Sequence, residues 1–170
     1  MVLTAREVWT VVHGMILGAL FLLAFAGGLA GLYSLRPEYL TAGGIRERLP
    51  RLEIGTALMA VVAWATVLTG TWVIYPWYRA AVPESPRSRL LANPSTALWH
   101  SFGMEWKEHI AWLAPILATA VAFVVLYYGP RLAREPAVRR VVTWLFLISF
   151  AAAGVAGLFG AFINKVAPTV

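Results

Sequence analysis

Side chains able to do acid–base or ligand chemistry are scarce in this chain, and they fall in a pattern. His13, His100 and His109 are its only histidines. His13 lies inside a long apolar run, where an imidazole needs a hydrogen-bond or metal partner. Trp99 to His109 is the densest polar segment. On a helix, Glu105, Glu108, His109 and Trp112 fall at i, i+3, i+4 and i+7, a single face that Ile116 and Thr119 continue. Two carboxylates and an imidazole on one stripe at a membrane boundary demand partners, and Arg79, Lys107 and Lys165 are the candidates.

Other chemistries are excluded by composition. The absence of cysteine removes disulfides, thiolate metal sites, cysteine-held iron–sulfur clusters and thiol nucleophiles. All eight acids are glutamates, so aspartate-based phosphoryl transfer and aspartic-protease chemistry are out as well. There is no CxxCH, Walker A, GxGxxG or HExxH motif and no nucleophile elbow.

The elements that must position these residues are membrane helices. Of the 170 residues 60% are hydrophobic and only 13% charged, against about 25% charged in soluble domains. Four apolar runs each approach or exceed the ~20 residues that cross a bilayer. The sequence therefore predicts an all-α integral membrane four-helix bundle with antiparallel up-down topology, residues 1–170 forming one transmembrane domain. The helices are expected at about 8–33, 54–78, 106–128 and 141–163, with an extended external loop over 79–105. Ala24-Phe25-Ala26 imitates a signal-peptide cleavage site, but the apolar run continues through Gly27 to Tyr33, so the first helix is read as retained.

Alternating direction puts both termini and the 79–105 loop on one side, A, and the other two loops on side B. Side B carries eight arginines and side A six basic residues; the side-B loops are also the shorter ones, where positive charge reports the cytoplasmic face. The chain is thus expected to be a multi-pass protein of the cell membrane with external termini. Its net charge of +6 fits lipid headgroups rather than nucleic acid. All three histidines and six of the eight tryptophans, Trp106 among them, gather on side A. Gly14 with Gly18, Gly27 with Gly31, and Ala153, Gly157 and Ala161 have the small-xxx-small spacing that lets membrane helices approach, and Gly14 and Gly18 could instead make room for a flat cofactor. Pro115 cannot donate to the Ala111 carbonyl, so a kink is expected soon after His109.

His13 and His109 start the first and third helices on the same side, the arrangement that holds a haem iron from two faces. If Glu7 and Glu108 sit at one level, a rise of 1.5 Å per residue offsets the two imidazoles by roughly 7 Å, which helix tilt can absorb. The leading expectation is a small b-type cytochrome-like subunit that binds haem b through His13 and His109. Arg79, Lys107 and Lys165 would neutralise the propionates, tryptophans such as Trp106 would wall a haem or quinone, and electrons would pass near the external face within a larger redox complex. In helix number and histidine placement the chain resembles the four- and five-helix haem-bearing anchors of membrane dehydrogenases and hydrogenases. The alternatives are a cofactor-free structural or assembly subunit, and a metal or proton site serving transport. The second of these draws on His13, His100, Glu105, Glu108 and His109.

Overall fold

The computed structural model describes residues 3–168. Four helices are long and apolar enough to cross a membrane: α1 (Ala5–Ser34), α2 (Gly43–Tyr78), α3 (Pro94–Arg134) and α4 (Pro136–Val166). No strand occurs among the described residues. Between 22% and 33% of each helix's most apolar window is buried inside the bundle, so most of the apolar surface faces outward. Leu23, Phe123, Val61 and Trp144 are among the large side chains exposed there, and a soluble monomer does not tolerate such a surface. The protein is a multi-pass membrane protein with lipid against this face.

Local signals set the helix starts. Thr4 forms a capping box with Glu7 at the head of α1. Thr41 accepts from the Gly44 amide, which starts helix three turns before the apolar run at Ile54; charged residues such as Arg46, Glu47 and Arg51 occupy the extra turns. Residues 79–105 are not the extended loop expected from their prolines. Ser85 caps a short helix, Pro86–Ala92, and Asn93 caps α3, each with proline at the first helical position, where its missing N–H costs nothing. The helix therefore begins at Pro94 rather than near 106.

The core is built from Phe21, Leu32, Leu52, Met59, Val121, Val125, Val142 and Phe146. Two glycines set the closest approaches of α1. A Cβ on Gly28 would lie 2.6 Å from Cζ of Phe146, and one on Gly31 would lie 3.1 Å from Cδ1 of Leu52. Gly14, Gly18 and Gly27 meet nothing within 4 Å, so the expected close packing holds at Gly31, passes from Gly27 to Gly28, and fails at Gly14 and Gly18. The kink is present: regular α-helix stops at Ile110 and resumes at Leu113, just before Pro115. Beside it the fully buried Ser149 hydroxyl of α4 donates to the Ala114 carbonyl at 2.8 Å.

Candidate functional site

Three of the four helices widen into a π-turn: Val12–Ile16 in α1, Gly70–Ile74 in α2 and Trp99–Met104 in α3. Such single turns are frequent at functional sites because they re-aim side chains without ending the helix. The first carries His13, the second begins at the glycine against which His13 packs, and the third carries His100. All three belong to the end of the bundle where the polar side chains meet.

His13 is partly buried against α2. Its Nδ1 lies 3.1 Å from Oγ1 of Thr69, and its Cε1 would be 2.9 Å from a Cβ on Gly70, so only glycine admits the ring. Thr69 donates its single hydroxyl proton to the Ala65 carbonyl at 2.7 Å. The hydroxyl oxygen then accepts from His13, which puts the imidazole proton on Nδ1 and a lone pair on Nε2. The Lys107 side chain reaches across from α3 until its Nζ is 3.2 Å from where a Gly160 Cβ would stand on α4.

On the α2–α3 side lies a connected polar network. Arg79 is paired with Glu105 and stands 3.5 Å from Oε1 of Glu108, whose other oxygen accepts from the Tyr75 hydroxyl at 2.8 Å. Burial opposes charge on Arg79, yet Glu108, Tyr75 and Glu105 carry its pKa above the ordinary arginine value. His100 is buried: Nε2 accepts from Nε of Arg87 at 3.3 Å and lies 3.7 Å from the Glu105 carboxylate. Nδ1 then carries the proton and donates to the Tyr78 hydroxyl at 2.9 Å. Two buried atoms stay without hydrogen bonds, Arg79 Nε and Glu108 Oε1. Both belong to residues that are ion-paired, so the charges are compensated while these two atoms lack a hydrogen bond.

The stripe through Glu105, Glu108, Trp112 and Thr119 does face a packing partner, which is α2. Trp112 meets Trp64 edge-on at 6.1 Å, and the Trp64 indole donates to Thr119 at 3.0 Å. His109 sits at the stripe's edge and is exposed, its Nδ1–H donated to the Glu105 carbonyl at 2.6 Å. No hydrogen bond or ring contact among the described residues joins His13 to His109. One imidazole packs on α2 and the other lies on the outer surface. Arg79 is committed to carboxylates, Lys165 is exposed, and Trp106 packs on Phe159 at 5.7 Å. Among the described residues no three His or Glu side chains lie close enough to hold a metal ion, so His13, Glu105, Glu108 and His109 do not form one donor set.

The seam between α1 and α4 differs along its length. Phe25 stacks on Phe150 at 3.9 Å and on Phe146 at 5.1 Å, and with Phe21 these rings close the seam between α1 and α4 at mid-bundle. Gly14 and Gly18 continue the Phe21–Phe25 face of α1, and Gly157 continues the Phe146–Phe150 face of α4. A Cβ on any of the three glycines would meet nothing within 4 Å, so the helices part beyond the phenylalanines. These glycines thus present bare, unpacked backbone on the facing sides of α1 and α4, and the Lys107 side chain lies against neighbouring Gly160. Sequence spacing had singled out these glycines, but it could not show the π-turns or the inward reach of Lys107. No family model, curated protein or solved structure matches this chain.

Proposed function

We propose that the chain is a quinone-handling membrane subunit of a redox complex, working at its histidine-bearing end. The observation that carries this reading is the set of unpacked glycines on α1 and α4, Gly14, Gly18 and Gly157, with the Lys107 side chain against Gly160 on α4. A quinone ring is flat, enters from lipid, and needs a donor to its carbonyl oxygen and a route for protons. Glycine walls suit the ring, and Lys107 supplies the donor. When a partner subunit delivers two electrons, the quinone takes up two protons to become a quinol. Glu108, the residue after Lys107, leads through Arg79 and Glu105 to His100 and Arg87. The His13 Nε2 lone pair is a proton acceptor for the reverse direction. Intramembrane ionisable groups linked in this way are typical of proton relays.

The reading includes an antiparallel up-down bundle, supported by contacts of the α1 start with the α2 end, the α2 end with the α3 segment Glu105–Glu108, and that segment with the α4 end. It also places this end and both termini outside the cell, on the arginine distribution. A second reading is a b-type haem, the cytochrome expectation. What favours it is the tautomer shared by His13 and His109, each donating from Nδ1 and keeping Nε2 for a metal.

Titration of the purified protein in detergent with a short-chain quinone, followed by tryptophan quenching, tests the proposal. Saturable binding that weakens at least about tenfold, roughly 1.4 kcal/mol, in Lys107→Met supports it. A visible spectrum with a haem α-band that vanishes in His13→Ala moves the assignment to the cytochrome. A colourless protein that binds no quinone leaves the structural or assembly subunit.

A further inference from the structure

The seam between α1 and α4 opens at the end opposite the histidines. There it forms a pocket of about 540 Å³ whose polar rim holds three guanidinium groups, Arg36 from the end of α1 and Arg139 and Arg140 from the first turns of α4, against one carboxylate, Glu38. We infer that this pocket binds an anionic phospholipid, its phosphate between the three arginines and an acyl chain along the wall of Leu29, Leu32, Trp144 and Leu147.

The arginines are positioned rather than merely abundant. Arg36 is stacked over the Tyr33 ring at 4.0 Å, which holds its guanidinium in place on the pocket rim. Arg139 is anchored through Nη1 to the Leu132 and Ala133 carbonyls, at 3.4 and 3.1 Å, while it lines the same pocket. Arg140 has no hydrogen bond or ion pair among the described residues. Three cations facing one acid leave uncompensated positive charge at a membrane boundary, where phosphate is the abundant anion. The apolar wall separates a lipid from free phosphate, since inorganic phosphate gains nothing from Leu29 or Trp144. A planar guanidinium also matches phosphate oxygens in pairs, which a lysine cluster would not.

Native mass spectrometry of the full chain in detergent tests this with phosphatidylglycerol, phosphatidylcholine and inorganic phosphate as separate probes. Phosphatidylglycerol should be retained in preference to phosphatidylcholine. Each of Arg36→Gln and Arg140→Gln should weaken it about fivefold, the effect of one basic residue at a lipid surface. Trp144→Ala should weaken the lipid without creating phosphate binding. These positions are exposed or at the surface of the groove, and an unchanged melting profile verifies folding of each variant. Equal retention of both lipids, or phosphatidylglycerol retention indifferent to both arginine substitutions, overturns the inference. Inorganic phosphate bound with the same arginine dependence overturns it too, and gives the pocket to the free anion. Quinone binding at the other end plays no part in these outcomes.

Discussion

Replacing Gly28 with alanine tests the packing that shapes both ends of the α1–α4 seam. The added methyl would stand 2.6 Å from Cζ of Phe146, with two further ring atoms at 3.1 and 3.5 Å. Carbon atoms settle at about 3.5–4.0 Å, so the ring and helix must separate by roughly 1 Å. Phe146 cannot swing aside, because it is fully buried and stacked on Phe25. Overpacking of a closed core costs about 1–3 kcal/mol, and the upper half of that range is expected where the neighbour is a held aromatic ring. Gly14→Ala is the matched control: the same methyl on the same helix meets nothing within 4 Å. It should be neutral, or stabilise by up to about 1 kcal/mol through helix propensity. The assay is reversible unfolding in mixed detergent–SDS micelles, read by tryptophan fluorescence. Gly28→Ala combined with Phe146→Leu, which deletes the offending ring edge, should lose less than the sum of the single variants. A Gly28→Ala protein as stable as the parent, or a Gly14→Ala protein that loses more, would refute this account of the seam.

Arg79→Gln strips the positive partner from Glu105 and Glu108 together; Arg79 is 35% exposed, so the loss should be about 1–3 kcal/mol rather than the full buried-pair penalty. Adding Glu108→Gln should return part of it, measured in the same micelle titration. Ser149→Ala removes the bond to the Ala114 carbonyl beside the kink, and about 0.6 kcal/mol is expected, the typical worth of an interhelical hydrogen bond in membranes. Thr69→Val deletes the acceptor that fixes the His13 tautomer. The His13 Nδ1 resonance in a nitrogen–proton NMR spectrum should then lose its hydrogen-bonded position, with the fold unchanged.

Much of the architecture could be read from residue order, and the failures have identifiable physical causes. Continuous apolar runs announce membrane helices because backbone in lipid must bond to itself, and the break near Pro115 follows from a missing donor. The stripe from Glu105 to Thr119 was legible because helical spacing places it on one face, and that face packs on α2. The same spacing misplaced His109: one residue beyond Glu108 turns the side chain by about 100°, enough to move it from interface to outer surface. Helix starts at Gly43 and Pro94 were missed since capping by Thr41 and Asn93 overrides the charged or proline-rich composition around them. The π-turns leave no sequence mark, and they alter which groups meet at the site. Lys107 appeared in the sequence as one cation among several, and only the gap at Gly160 shows that it reaches inward.

The proposed role turns on whether the unpacked glycine faces of α1 and α4 receive a quinone. Gly157→Leu puts a bulky side chain on that face of α4, and nothing within 4 Å resists the first added carbon. Quinone affinity of this variant, measured beside the parent by tryptophan quenching, is the direct test. The account predicts a loss of tenfold or more (about 1.4 kcal/mol) with an unchanged unfolding midpoint. Parental affinity in the filled variant would contradict it.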